Sequence, residues 1–164
     1  MKRIGLLSDT HGSLPEAWLD FFKDVDEIWH AGDIGTPDVL KQIESRKPWR
    51  AVFGNIDSLQ LRNMLPEDLV FDCEGMKVLL THIGGYPGKY EPRAKTIILR
   101  EKPGLFVCGH SHILKVMFDE KLNLLHINPG AAGRFGLHQS ITMVRFSMDA
   151  GRVLDLEIYD KPRS

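Results

Sequence analysis

The chain has 164 residues, of which 43% are apolar and 26% charged, and its formal net charge is −1. That length suits one domain, 1–164, with a substantial core, and the composition excludes a disordered or low-complexity chain. The near-zero balance gives no electrostatic reason to expect nucleic acid or anionic membrane as a partner, so a polyanionic substrate would need a local charge such as a metal ion.

Lys2 to Ser8 is a short, nearly continuous apolar run and predicts a buried strand. It is too short for a signal-peptide core, and no segment reaches the roughly 20 apolar residues of a membrane span. Leu14, Trp18, Phe21 and Phe22 then recur at helical spacing, with Ser13 placed to cap and Pro15 at the first helical position. Glu27 to His30 predicts a second strand that ends on Ala-Gly-Asp. Thr36-Pro37 opens a second helix with Val39, Leu40 and Ile43 on its apolar face. Arg50 to Phe53 predicts a third strand, ending on Gly54-Asn55. Such alternation favours parallel strands covered by helices.

Leu69 to Cys73 and Lys77 to Thr81 flank Glu74-Gly75 as a hairpin would. Ala94, Ile97 and Ile98 mark a helix stopped by Pro103-Gly104, and Leu105 to Cys108 predicts a further buried strand. Leu114 to Phe118 pairs with Leu122 to Ile127. Thr142, Val144 and Phe146 alternate, as do Leu154, Leu156 and Ile158, around a turn at Asp149-Ala150-Gly151. Helices early and hairpins late predict an α/β fold of two sheets packed face to face, with helices outside. Cys73 and Cys108 sit in different apolar contexts without Cys-x-x-Cys spacing, which fits two thiols in a reducing cytoplasm.

The polar residues carry the chemistry. Each predicted core strand ends at its C-terminal side in His, Asp or Asn beside a small residue: Asp9-Thr10-His11-Gly12, Gly32-Asp33, Gly54-Asn55-Ile56-Asp57, Thr81-His82 and Gly109-His110-Ser111-His112. Ligands of open α/β sheets bind beyond the carboxyl ends of the strands, so these loops should meet. Asp9-x-His11 and His110-x-His112 place both side chains on one side of an extended segment. Imidazole and carboxylate without thiolate suit Mn, Fe, Zn or Ni better than Mg or Ca. Seven such residues are too many for one tetrahedral ion and suit two ions that share a carboxylate.

Taken in order, these five motifs resemble the calcineurin-like metallophosphoesterase superfamily. The length and the closing Asn128-Pro129-Gly130 resemble its small prokaryotic phosphodiesterase branch. The resemblance runs from Ile4 to about Ile158 and implies an α/β/β/α sandwich of two sheets. It implies that Asp9, His11 and His112 hold one divalent ion, that Asn55, His82 and His110 hold a second, and that Asp33 bridges them. Manganese is the first expectation for both, with Ni, Fe, Zn or Mg as alternatives. The implied activity is hydrolysis of a small phosphoester, a diester rather than a monoester, by a metal-bridging hydroxide, with Asp33, Asn55 and His82 at the reaction. Homo-oligomers are common among resembling proteins. The fold also serves as a protein-binding scaffold, which is the alternative function.

Ile56 departs from the pattern, because many members of the superfamily place there a His that can protonate a leaving group. The loop Ile83-Gly84-Gly85-Tyr86-Pro87-Gly88 departs from a more usual His-Gly continuation. Asn55 and Arg134 are candidate substrate contacts, and Arg62 and Arg93 default to solvated surface. His30 reads as a buried structural residue and Asp57 as a group that orients the Asn55 loop. His126 and His138 fall outside the motif order and are not expected to bind metal.

Overall fold

A computed structural model describes residues 1–163. In chain order the first elements are β1 (Lys2–Leu7), α1 (Trp18–Phe21), β2 (Glu27–His30), α2 (Pro37–Glu44), β3 (Trp49–Ala51) and α3 (Leu59–Met64). The middle brings β4 (Asp68–Cys73), β5 (Met76–Thr81), β6 (Gly85–Tyr86), β7 (Lys89–Tyr90), α4 (Pro92–Glu101) and β8 (Leu105–Val107). The chain finishes with β9 (Leu114–Asp119), β10 (Leu124–Pro129), β11 (Ser140–Asp149) and β12 (Arg152–Pro162).

Among the described residues these strands form two five-stranded sheets, ordered β12-β11-β1-β2-β3 and β4-β5-β8-β10-β9, and a small β6-β7 ribbon. β1, β2 and β3 run parallel in the first sheet, and β5, β8 and β10 run parallel in the second. The central strands read as continuous apolar runs because both of their faces are covered. Ile4, Leu6, Trp29, Val144 and Phe146 point from the first sheet into a shared core, where they meet Val78, Leu80, Leu105, Val107 and Ile127 from the second. Leu7, Ile28 and Met143 face the other way, towards Trp18, Phe22, Val39, Leu40, Ile43 and Leu61 around the first three helices. Leu79 and Phe106 pack against Ala94, Ile97 and Ile98 of α4. The layers are therefore α/β/β/α, as expected.

Local details differ from the expectation in three places. The helix expected from Ser13 and Pro15 is helical only over Trp18–Phe21, and its N-cap position is Ala17, with no side-chain cap. The preceding residues are held otherwise: His11 and Gly12 donate backbone N–H to the carbonyls of Asp33 and Ile34, at 3.0 and 2.7 Å. Helix α3 has no counterpart in the apolar pattern because Leu61 is its one buried residue, although Ser58 caps it by accepting from Leu61 N–H. The β6-β7 ribbon occupies the atypical loop after His82. Cys73 and Cys108 are both buried and free.

Two buried histidines make the fold acid-sensitive. Burial pushes His30 down to about 3 and His126 down to about 4. His126 stacks on Phe106 at 5.2 Å between ring centroids, with Nδ1 donating to the Phe106 carbonyl at 3.3 Å. Its pKa is lower in the folded chain than in the unfolded one. Its contribution is therefore complete above about pH 6.5 and is lost as pH falls towards 4. Between pH 7 and pH 5 the loss at His126 is about 2 kcal/mol. Denaturant unfolding of metal-free protein at both pH values should show His126→Phe losing about that much less stability than the wild type. An unchanged pH dependence would contradict this.

Candidate metal centre

The parallel strands of both sheets end on one side of the molecule, and the five polar motifs follow them there. Asp9 and His11 follow β1, Asp33 follows β2, Asn55 follows β3, His82 follows β5, and His110 and His112 follow β8. Asp9 N–H donates to Gly32 O at 2.9 Å, which stitches the β1 and β2 loops together. The backbone at Asp9, His11, Asp33, His110 and His112 is left-handed, with φ between 48° and 72°. These are five of the ten non-glycine residues with positive φ among the described residues. Each costs on the order of 1 kcal/mol, and such strain persists only where surrounding structure enforces it. Two glycines make room for this. A methyl group at Gly54 would collide with the Asp33 carboxylate and backbone, and one at Gly109 would collide with Ser8 Oγ and Asp9.

All seven side chains meet. Two groups, Asp9-His11-His112 and Asp33-His82-His110, could each hold a metal ion, their donor atoms lying within 4.8 Å of one another. Asp9 Oδ1 lies 3.3 Å from His112 Nε2 and 3.7 Å from His11 Nε2. Asp33 Oδ2 reaches both groups, at 3.2 Å from His82 Nε2 and 3.6 Å from His11 Nε2. Asn55 Oδ1 joins the second group, 3.0 Å from His82 Nε2 and 3.1 Å from His110 Nδ1.

The electrostatics fit a cation. Asp9 Oδ1 and His11 Nε2 are buried and have no hydrogen-bond partner among the described residues. Groups left so are costly unless something else satisfies them. His82 Nδ1 lies 2.7 Å from the Ala31 carbonyl, which can only accept, so Nδ1 carries the hydrogen. In the neutral ring, His82 Nε2 then turns a lone pair towards oxygens of Asp33 and Asn55, a place that only a proton or a cation can fill. Burial alone would raise the Asp9 carboxyl, but contacts from His11 and His112 outweigh it and hold the group ionised, well below the usual range. The nearby Asp9 carboxylate raises His11. Burial lowers His82, but Asp33 and Asp9 more than reverse it, leaving the ring above its ordinary value. Protons and metal therefore compete for these nitrogens, and metal affinity falls with pH.

The neighbouring residues have distinct places. His30 accepts from Gly32 N–H at 3.1 Å and shares a 2.9 Å bond with Thr10 Oγ1, so it braces two loops without reaching the cluster. Asp57 accepts from Gly35 and Gly54 N–H at 2.9 and 2.8 Å, tying the β2 and β3 loops. Arg62 is not merely solvated: Nε and Nη2 donate to the carbonyls of Asp57 and Asn55. Arg93 is paired with Asp68 at 2.6 Å. Asn128 donates to Gly109 O and Ser111 Oγ, both at 3.0 Å, and so holds the β8 loop. Arg134 is exposed, and Ile56 is 47% exposed at the mouth. His138 comes in unforeseen, with Nδ1 3.2 Å from His112 Nδ1. Motif order passes over such a residue, and only its packing against His112 reveals it.

Known proteins resemble this chain in sequence and in fold. A family model described as the calcineurin-like phosphoesterase superfamily domain matches residues 1–151. A probable metallophosphoesterase of Methanothermobacter thermautotrophicus is 32% identical over 133 residues, covering 78% of this chain and 76% of its own. A phosphodiesterase of Methanocaldococcus jannaschii is 27% identical over 147 residues, covering 78% of this chain and 82% of its own. In fold, the crystal structure of Vps29 from Chaetomium thermophilum superposes with a TM-score of 0.77, over 99% of this chain and all of that one, at 13% identity.

Because Gly54 leaves room for Asp33, which reaches both groups, a side chain there should disturb both. Gly54→Ala, loaded with Mn²⁺ and dialysed, should retain fewer ions per chain than the wild type by elemental analysis, with circular dichroism confirming the fold. Wild-type metal content in the folded variant would contradict this placement.

Proposed function

We propose a function on one premise: the chain belongs to the calcineurin-like phosphoesterase superfamily. The proposed activity is hydrolysis of small phosphoesters with two divalent ions, phosphodiesters in preference to monoesters. The observation that carries this reading is the meeting of seven metal-suited side chains at strand ends, with buried donor atoms that have no other partner.

On this reading Asp9, His11 and His112 hold one ion, Asn55, His82 and His110 hold the other, and Asp33 lies between them. The donor set suits Mn, Fe, Ni or Zn better than Mg, and the family resemblance puts manganese first. Bound there, the ions would supply positive charge to the phosphate and lower the pKa of a water. The chain's own residues do the rest. With Asn55 Oδ1 turned to the two histidines, its Nδ2 is available to donate to a phosphate oxygen. The left-handed loops fix the donors before substrate arrives, so little reorganisation accompanies binding. Ile56 brings no proton to a departing alkoxide, which points to good leaving groups.

Two clefts support the preference for diesters. One of about 200 Å³ opens beside Asn55 and His82, and one of about 460 Å³ opens beside His110 and His112. On this reading each receives one substituent of a diester. A monoester would bring a second negative charge instead. In the first cleft Arg93 is already offset by Asp68 and Glu67, which leaves Arg62 to meet that charge. A second reading, a metal-holding scaffold with little turnover, is favoured by apolar side chains beside the site: Ile113 at 62%, Phe135 at 63% and Leu137 at 100% exposure.

The test is an assay of metal-free protein reloaded with Mn²⁺, Ni²⁺, Mg²⁺ or Zn²⁺, on bis(4-nitrophenyl) phosphate and 4-nitrophenyl phosphate. The expected result is a higher kcat/KM on the diester, lowered by roughly 100-fold or more in Asp33→Asn. Ile56→His should speed a diester with an alkyl leaving group by roughly 100-fold and leave the nitrophenyl diester nearly unchanged. Full activity in Asp33→Asn would sink the two-ion reading, and inactivity with every metal would favour the scaffold.

A further inference from the structure

The loop between β10 and β11 closes a circuit of polar contacts on Asp9. Gly133 N–H donates to the Asp9 carbonyl at 3.1 Å. The Gly133 carbonyl lies 2.7 Å from His138 Nε2, His138 Nδ1 lies 3.2 Å from His112 Nδ1, and His112 Nε2 lies 3.3 Å from Asp9 Oδ1. A carbonyl can only accept, so His138 carries its hydrogen on Nε2 and, as a neutral ring, offers a lone pair at Nδ1. His112 must then donate from Nδ1, which commits its Nε2 to face Asp9 and the position of the first ion.

From this circuit we infer that His138 is a positioning residue: it fixes the tautomer and orientation of His112, and thereby sets the affinity of the Asp9-His11-His112 group for its ion. The inference rests on the metal-holding role proposed above for His112. It adds a determinant outside the seven ligands, on a loop that none of their motifs contains.

The surrounding structure is built to hold His138 in place. His138 is buried although its neighbours Leu137 and Gln139 are exposed. A methyl group at Gly136 would lie 2.7 Å from His112 Cε1 and 2.9 Å from His138 Nδ1, so bare backbone is pressed onto both rings. Arg163 anchors the same loop from the end of the last strand: Nη1 donates to Gly136 O at 2.5 Å and its N–H donates to Gln139 O at 3.0 Å. The second group is braced differently, with His82 donating Nδ1–H to the fixed carbonyl of Ala31. A histidine ligand commonly gives its other ring N–H to a carboxylate, carbonyl or water, and loss of such a partner costs 10–100-fold in metal affinity. In this chain a second imidazole takes that place.

The test uses full-length protein labelled with ¹⁵N at histidine. Long-range ¹⁵N–¹H spectra of the metal-free protein should show hydrogen on His138 Nε2 and on His112 Nδ1. Titration with Zn²⁺ then follows the two groups separately, His11 and His112 reporting one and His82 and His110 the other. His138→Phe removes the acceptor and keeps a ring. It should weaken the first group by roughly 10–100-fold and leave the second nearly unchanged. His138→Asn keeps an acceptor oxygen at the δ position and should restore most of the loss. Equal affinities in His138→Phe and wild type would overturn the inference. So would an Asn variant as weak as Phe, or His112 protonated on Nε2 with a bare Nδ1. The binding readout is independent of turnover, so a chain that binds both ions and hydrolyses nothing would contradict the hydrolase reading while the His138 result stands.

Discussion

The rest of this structure depends on one confrontation, in which imidazole nitrogens are turned towards the oxygens of two buried carboxylates, Asp9 and Asp33. His82 and His112 each point Nε2 at an aspartate, at 3.2 and 3.3 Å, and His82 gives its other nitrogen's hydrogen to a backbone carbonyl. Asp9 Oδ1 and His11 Nε2 have no partner at all among the described residues. Acceptors that face one another in a low-dielectric interior repel and lose solvation, so positive charge must enter for the arrangement to be stable. A proton can fill one such gap, as the raised His82 and His11 indicate. Two groups of three, with Asp33 of the second reaching His11 of the first, leave room for more than protons.

The fold supplies the means. Two sheets packed through a common apolar core bring the carboxyl ends of β1, β2 and β3 against those of β5 and β8, so loops far apart in sequence are close in space. Short bonds between backbones lock the β1 and β2 loops to each other, and Asp57 locks the β3 loop to the second of these. Five of the seven clustered positions accept left-handed backbone, a local cost that the core and the loop bonds sustain. Strain of this kind places donor atoms where extended strands alone could not.

Much of this could be read from the residues. Continuous apolar runs foretold strands covered on both faces, and residues such as Ile4, Leu80 and Val107 occupy the shared core. The Asp, His and Asn motifs foretold a meeting point because strand ends in such folds converge. The missing pieces have physical reasons. Helix α3 buries only Leu61, so it leaves no periodic trace. The segment after His11 has helical spacing, but its first residue, Gly12, bonds the β2 loop and helix forms only over Trp18–Phe21. His138 and Arg62 act through tertiary bonds, to His112 and to the carbonyl of Asn55, and no local pattern encodes such contacts. Arg134, which its position near Asn128-Pro129-Gly130 made a candidate, lies exposed.

The central claim is that two ions lie side by side with Asp33 between them. Electron paramagnetic resonance of metal-free protein titrated with Mn²⁺ tests it most directly, because neighbouring manganese ions sharing a ligand couple magnetically. The account predicts that the isolated-ion signal gives way to an exchange-coupled spectrum as the second equivalent binds, and that Asp33→Asn abolishes the coupling. Saturation at one ion per chain, or two ions that stay magnetically independent in the wild type, would contradict it.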